Sequence, residues 1–257
     1  MTPGTGRGAE GRRPRVIGVL GGMGPLATAD FYAKLVRLTP ATVDQDHPRV
    51  IIDGNAAIPD RTEAVFGRGP DPTPALVETA QNLERAGAEL IAVPCNSAHA
   101  FLGAIRGAVA VPVLDIMDEV AQTAAGLIPR PSAVGLLATE GTLRMRLYHG
   151  ALAARGIAVV EPTADEQTAV MDAIRAVKAG DLGPEVRAAV HRVADSLVRR
   201  GAGALVLGCT ELPLVMGAGD ASVPVLDGTE ILARAALREA FAREFSAPSG
   251  RNANGTR

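Results

Sequence analysis

The sequence predicts an α/β protein made of two similar, doubly wound halves with parallel sheets of the Rossmann type. Short apolar runs alternate with amphipathic helical patterns along the chain, which is typical of parallel strands covered by helices. The chain also repeats itself: the pattern Leu83, Arg85, Gly87, Ala88 and Cys95 recurs at one constant spacing as Leu197, Arg199, Gly201, Ala202 and Cys209. The segment VPVLD likewise occurs twice, at residues 111–115 and 223–227.

The amino-acid composition supports this fold class and limits the kinds of molecule that the protein is expected to bind. The 257 residues are 47% hydrophobic but only 3% aromatic, without Trp, so the cores must consist of the aliphatic residues that parallel sheets bury. A net charge of -2 gives no general attraction for nucleic acid or an anionic membrane. No stretch approaches the roughly 18 to 20 apolar residues of a membrane span. The expected partner is therefore a small molecule.

The first half is predicted as strand, helix, strand, long loop, helix and strand. A strand at residues 15–20 stops at Gly21 and Gly22, and Pro25 begins a helix that runs to about Leu38. A second strand covers residues 50–53, and the Pro- and Gly-rich residues 54–74 predict a functional loop. Thr73 caps a helix that ends at Gly87 and leads to a strand ending at Cys95.

The second half repeats this order. Strands are predicted at residues 133–137 and 157–160, with helices from Thr142, over residues 165–178 and from Pro184 to Gly201. The next strand ends at Cys209, and each VPVLD segment is predicted as a further strand. A last helix, residues 229–245, would pack back on the first half.

These patterns also predict the domain boundaries. The first half comprises residues 15–115 with residues 226–245, and the second comprises residues 116–225. Residues 1–14 and 246–257 are predicted to be disordered tails because Gly, Arg, Ser and Asn dominate them. Without an export signal the protein is expected in the cytoplasm, where thiols stay reduced, although a disulfide between the two cysteines is an alternative.

The two cysteines are the strongest candidates for chemistry. Each lies at the carboxyl end of a predicted parallel strand, where open α/β sheets bind ligands. A helix starting behind each thiol would lower its pKa and favour thiolate. One thiolate could then act as a base while the other thiol acts as an acid. The alternative is two ordinary buried cysteines, but the polar Asn96, Ser97, Thr210 and Glu211 behind them favour a cleft.

A nucleotide-binding oxidoreductase is a rival interpretation. Gly22, Gly24 and Ala27 fit G-x-G-x-x-A after a strand, and Asp53 ends the next predicted strand. Against it, Pro25 removes a backbone donor from the turn, and the pair of cysteines has no role.

Several motifs resemble the aspartate/glutamate racemase superfamily over nearly the whole chain, from Val16 to about Phe245. The two cysteine signatures are PCNSAH around Cys95 and GCTEL around Cys209. Four further segments resemble the aspartate racemase branch in particular: GVLGGMGPLAT at residues 18–28, IPDRT at 58–62, LLATEGT at 136–142 and VKAG at 177–180. Glutamate racemases carry an acidic residue and Ser in the first glycine turn and usually His after the Cys-Thr pair, where this chain has Gly22-Met23 and Glu211.

The resemblance implies a cofactor-independent racemase of aspartate or glutamate, with Cys95 and Cys209 as the thiolate and thiol of a two-base mechanism. It also implies no metal, a homodimer, possible proton-transfer support from Glu211 and His99, and an acidic amino acid as the substrate. The implied substrate-binding residues are Met23, Arg61, Asn96, Ser97, Thr139, Thr142, Lys178 and Thr210. Hydantoin racemases, maleate isomerases and a non-catalytic amino-acid-binding module are the alternatives.

Overall fold

Two parallel sheets organise the protein. The computed structural model describes residues 13–242, and in this range a three-stranded sheet has the order β2-β1-β3 and a four-stranded sheet the order β5-β4-β6-β7. Every strand pair is parallel. The predicted fold class is therefore confirmed, whereas residues 1–12 and 246–257 of the predicted tails lie outside the described residues.

The elements up to residue 125 include the predicted strands and helices, together with further helices that the sequence does not predict. They are β1 (Ile17–Leu20), α1 (Pro25–Leu38), β2 (Val50–Asp53), α2 (Arg61–Val65), α3 (Thr73–Arg85), β3 (Leu90–Ala92), α4 (Leu102–Ala108) and α5 (Ile116–Ala125). Strand β1 is fully buried in the middle of the sheet because its four residues are apolar or Gly. Pro25 begins α1, where its missing N–H has no helical partner to lose.

The rest of the described chain contains the four-stranded sheet. In chain order the elements are β4 (Ala133–Ala138), α6 (Glu140–Arg144), α7 (Leu147–Ala153), β5 (Ala158–Val160), α8 (Ala164–Lys178), α9 (Pro184–Arg199), β6 (Ala204–Gly208), β7 (Val225–Asp227) and α10 (Gly228–Phe241). The buried side of α9 includes Val186, Val190, Val193 and Leu197, at spacings of four, three and four, as an amphipathic helix requires.

The sequence repeat corresponds to a repeated packing arrangement. Gly87 and Gly201 end the helices before β3 and β6 with φ of +98° and +97°, a conformation that glycine adopts without strain. In the middle of each sheet a glycine lets a later segment of the chain approach closely. A Cβ at Gly18 would lie 2.8 Å from the Ala88 side chain, and one at Gly135 would lie 2.8 Å from Leu197. The two halves thus share their glycine positions as well as their topology.

Four predicted features differ from the structure. Thr73, predicted to cap a helix, is instead the first residue of α3, and Pro72 precedes it. The loop at residues 54–74 contains the short helix α2, because the Asp60 carboxylate accepts hydrogen bonds from the amides of Thr62 and Glu63. The helix predicted from Thr142 is divided into α6 and α7, with Arg146 in the left-handed conformation between them. The first VPVLD segment forms only a single bridge, between Ile91 and Val113, whereas the second contains β7.

Helix α10 returns from β7 to pack against α1 and α5. This contact confirms that the last helix packs back on the earlier part of the chain. One hydrophobic core includes residues of β1, β4 and α10, so it joins the two sheets. The exact division into two halves at residue 115 stays a prediction. Within the described range, no helix is both long and apolar enough to cross a membrane.

Candidate active site

The two cysteines line the same cavity. Cys95 follows β3 and Cys209 follows β6, so each lies at the carboxyl end of a parallel strand of its sheet. Both are buried, with 4% and 5% exposure, and both are free thiols, which rules out the disulfide. The space between them has a volume of about 20 Å³, close to that of one water molecule. We call this space the inner cavity.

Ten of the twelve predicted site residues meet at the inner cavity. Its lining consists of Met23, Asp60, Arg61, Thr62, Cys95, Asn96, Ser97, Thr139, Lys178, Cys209, Thr210 and Glu211. Of the predicted residues, only Thr142 and His99 are not in this lining. Thr142 is fully buried behind it, where its backbone N–H and its hydroxyl both contact the Thr139 hydroxyl.

A larger outer cavity of about 280 Å³ adjoins the inner one. The two spaces share Met23, Asp60, Arg61, Lys178 and Glu211. These five side chains therefore lie between the cysteines and the wider outer space, at the position through which a small molecule would enter.

His99 is held by the backbone. Its Nδ1 lies 2.9 Å from the Cys95 carbonyl oxygen, and its Nε2 accepts the Ile116 N–H at 3.3 Å. Burial lowers the pKa of His99, so the ring is neutral and carries its proton on Nδ1. Both nitrogens are thus used in shaping the loop behind Cys95. This geometry does not support the predicted role of His99 in proton transfer.

Glu211 contacts the second thiol directly. Cys209 Sγ donates a hydrogen bond to Glu211 Oε2 at 3.0 Å, while Glu211 Oε1 accepts the Gly24 N–H at 3.2 Å. Burial, and then the charge and hydrogen bond of Glu211, raise the pKa of Cys209 well above its usual value, against a smaller opposing effect of Lys178. Cys209 is therefore a thiol at neutral pH.

The pKa of Cys209 contradicts the expected helix effect. A pKa lowered by a following α-helix was expected at both thiols, but the residues behind them form 3₁₀ turns, Ser97–Phe101 after Cys95 and Leu212–Leu214 after Cys209. Such short turns carry little dipole, so burial and the neighbouring carboxylate dominate at Cys209.

Two cations face the cavities. Arg61 is 7% exposed, and its Nη1 donates to the carbonyl oxygens of Ile58 at 3.2 Å and Pro59 at 2.9 Å. Its Nε is buried and has no hydrogen-bond partner among the described residues. Neither Arg61 nor the exposed Lys178 forms an ion pair within residues 13–242. Because burying an unpaired charge is costly, this arrangement favours an anionic ligand.

Sequence reasoning missed Asp60, Thr62 and Tyr148. Burial acts to raise the pKa of Asp60, but the amides of Glu63 and Thr62 and the nearby Arg61 and Lys178 hold it below its usual value. Asp60 caps α2 and so places Arg61 at the first helical position. The motif IPDRT contains both residues, and the Asp before a short helix is the signal that identifies the cap.

The glycine turn after β1 does not suit a nucleotide. The N–H of Gly22 donates to the Thr28 hydroxyl, and that of Gly24 donates to the Glu211 carboxylate. These two backbone N–H groups, which a pyrophosphate would need as donors, already have hydrogen-bond partners. The Glu211 carboxylate also lies where the negatively charged phosphate would bind. The nucleotide-binding interpretation fails on this contact.

Comparison with known proteins gives the decisive observation. The family model described as Asp/Glu/Hydantoin racemase matches residues 20–236, which is most of the chain. The chain belongs to the Asp/Glu/Hydantoin racemase family. This membership confirms the prediction of an enzyme of the amino-acid racemase type.

Similar proteins agree with this family. The broad specificity amino-acid racemase RacX of Bacillus subtilis is 28% identical over 227 residues, covering 86% of this chain and 96% of that protein. The structure of Picrophilus torridus aspartate racemase has a TM-score of 0.80 and 33% identity, over 88% of this chain and 94% of that one. Glutamate racemase from Francisella tularensis in complex with D-glutamate shares the fold, with a TM-score of 0.68 and 20% identity over 92% of this chain and 85% of that one.

Proposed function

We propose that this family member racemises an acidic amino acid, with aspartate as the preferred substrate, by two-base proton transfer between Cys95 and Cys209. The observation that carries the proposal is that two free thiols line one small cavity together, each at the carboxyl end of a strand of a different sheet. The similarity to an aspartate racemase supports the choice of substrate. A homodimer stays part of the proposal.

The chemistry needs no bound cofactor. One cysteine, as thiolate, takes the α-proton, and the electron pair of the broken C–H bond moves into the substrate carboxylate. The opposite cysteine, as thiol, then donates its proton to the other face of the same carbon. Substrate and enzyme have each exchanged one proton, so the enzyme is left with the reverse protonation state and is ready for the product enantiomer.

The site contributes two further effects. The inner cavity has room for about one water molecule, and a site with so little water strengthens charge interactions with the substrate. Arg61 and Lys178 can bind carboxylates, and an Arg matches a carboxylate with two parallel hydrogen bonds. Asn96 and Thr210 lie on the same lining and can donate further hydrogen bonds to the substrate carboxylate.

A direct assay tests this function. L-aspartate incubated in deuterated water with the protein, free of pyridoxal phosphate, is expected to give D-aspartate carrying deuterium at the α-carbon. Chiral chromatography with mass spectrometry measures both products. Glutamate, neutral amino acids, a hydantoin and maleate complete the panel. Turnover of the hydantoin or maleate alone, without exchange in any amino acid, would contradict the proposal and favour the corresponding alternative.

Glu211 is proposed to accept the proton of Cys209 through their 3.0 Å hydrogen bond. The charge of Glu211 raises the pKa of Cys209, so Glu211→Gln is expected to lower that pKa. The pH at which Cys209 becomes thiolate should then move downward. At the same time, kcat/KM should fall about 10²-fold for both enantiomers, because the proton acceptor is lost and both directions use the same proton-transfer step.

The pKa change can be measured on one thiol. The chain has two cysteines, so ultraviolet absorbance of thiolate in a Cys95→Ala background reports Cys209 alone. Glu140→Gln is the matched control, since Glu140 begins α6 beside the site and has no recorded contact with either thiol. A titration midpoint that stays constant or rises in Glu211→Gln would contradict the role of Glu211.

A further inference from the structure

We propose that Tyr148 is a positioning residue that fixes the Asn96 carboxamide, with its amide nitrogen directed at the substrate in the inner cavity. The proposal rests on the proposed function only in naming the substrate carboxylate as the group that this nitrogen binds. The proposal depends on a hydrogen bond between Tyr148, near the four-stranded sheet, and Asn96, which follows a strand of the other sheet. The amide nitrogen of Asn96 is a buried donor without a partner among the described residues.

The hydrogen bond joins two fully enclosed side chains. Tyr148 lies in α7, near the four-stranded sheet, and is 0% exposed. Its hydroxyl donates to Oδ1 of Asn96 at 2.5 Å, and Asn96 is 3% exposed behind β3 of the other sheet. Burial, with further effects of Cys209, Asp115 and Asp227, raises the pKa of Tyr148. The phenol therefore stays protonated and acts as a donor.

The fold leaves room for this ring at two glycines. A Cβ at Gly208 would lie 3.1 Å from Cε2 of Tyr148, and a Cβ at Gly228 would lie 3.5 Å from its hydroxyl oxygen. Gly208 ends β6 directly before Cys209, and Gly228 begins α10. The tyrosine is thus enclosed by backbone on both sides, which limits its movement and fixes the position of its hydroxyl.

Asn96 has one end bound and one end unused. Its Nδ2 is buried and has no hydrogen-bond partner within residues 13–242, although Asn96 lines the inner cavity. Leaving a buried donor without a partner is unfavourable. Because Tyr148 occupies the oxygen end of the carboxamide, rotation of the amide would lose that hydrogen bond and place an acceptor in the cavity. A carboxylate oxygen of the substrate is the acceptor that fits Nδ2.

The kinetic test removes only the hydroxyl. In Tyr148→Phe, KM for L-aspartate is expected to rise about tenfold while kcat changes by less than about threefold, as for a lost contact present in both ground and transition states. Tyr32→Phe is the matched control, because the other tyrosine of the chain is 44% exposed on α1. Equal KM values in Tyr148→Phe and wild type would overturn the proposal.

A double-mutant cycle separates positioning from general damage to the fold. If Tyr148 acts through Asn96, Tyr148→Phe in an Asn96→Ala background causes no further rise in KM. A structural role would instead multiply the two effects, and that result would also overturn the proposal. Thermal unfolding of each variant shows which ones fold.

A measurement without turnover keeps this proposal distinct from the proposed function. NMR relaxation of the Asn96 side-chain NH₂, assigned from its disappearance in Asn96→Ala, is expected to show a rigid group in wild type and a mobile one in Tyr148→Phe. The same relaxation in both proteins would overturn the positioning role. Wild-type protein that leaves L-aspartate unchanged but shows the expected relaxation difference would contradict only the proposed function.

Discussion

Replacing either cysteine by serine is expected to reduce racemisation of L-aspartate by about 10³-fold or more. A hydroxyl has the size of the thiol but is a far weaker acid, so it supplies neither the base nor the acid at neutral pH, and positioned proton transfer accounts for about 10²- to 10⁴-fold in rate. Both thiols are buried, so bulk solvent does not readily replace either one as acid or base. Chiral chromatography measures the loss.

The remaining thiol should still exchange the α-hydrogen of one enantiomer with solvent. In Cys209→Ser, Cys95 can remove an α-proton and return a deuteron to the same face, which gives labelled substrate without inversion. Cys95→Ser should do the same with the opposite enantiomer through Cys209. Mass spectrometry of each enantiomer in deuterated water therefore distinguishes the two faces. Full racemisation in either variant would contradict the two-base mechanism, and binding without any exchange in the wild type would favour a non-catalytic module.

Replacing Arg61 by methionine is expected to raise KM for L-aspartate about 100-fold. Hydrogen bonds to charged groups contribute about 1.5 to 3 kcal/mol each, and Arg61 can supply two to a carboxylate. Since Arg61 is buried and has no ion pair within the described part of the chain, the substrate is its natural counterion. Kinetics with L-aspartate and with L-alanine measure the effect, which should be largest for the acidic substrate.

Stability gives the second part of this test. The free energy of unfolding should change by less than about 1 kcal/mol, because the lost bonds to the carbonyls of Ile58 and Pro59 and the removed cost of an unpaired buried charge offset one another. Arg68→Met is the control, since Arg68 lies just after α2 but pairs with Glu63 at 2.8 Å. A normal KM in Arg61→Met, or an equal defect in the Arg68 variant, would contradict the role of Arg61.

Most of the fold followed from local patterns. The strands at residues 50–53 and 204–208 and helix α8 are continuous apolar or amphipathic segments, so their periodicity was sufficient. The first VPVLD segment differs from its prediction. It has the same five residues as the second copy but forms one bridge instead of a strand, because pairing depends on the neighbouring chain and not on propensity alone.

The site residues that lie in recognisable motifs were predicted, whereas those brought to the site only by packing were missed. Cys95, Cys209 and Arg61 lie in recognisable segments, and the structure brings them to one cavity. Tyr148 has no motif, and its contact with Asn96 depends on how α7 packs across the cleft. The direction of the Cys209 pKa was wrong for the same reason, since burial and Glu211 are properties of the folded chain.

The carboxylate of Glu211 lies beside Cys209, and no equivalent contact is recorded for Cys95 in the described residues. In an enzyme that interconverts mirror images, the two forms have equal free energy in water, so the ratio kcat/KM must be the same for both. An asymmetric thiol pair therefore cannot favour one handedness at equilibrium. It can only lower both KM and kcat for one enantiomer. The chemical difference between the two thiols therefore does not change the final ratio of enantiomers and shows only in the separate values of kcat and KM.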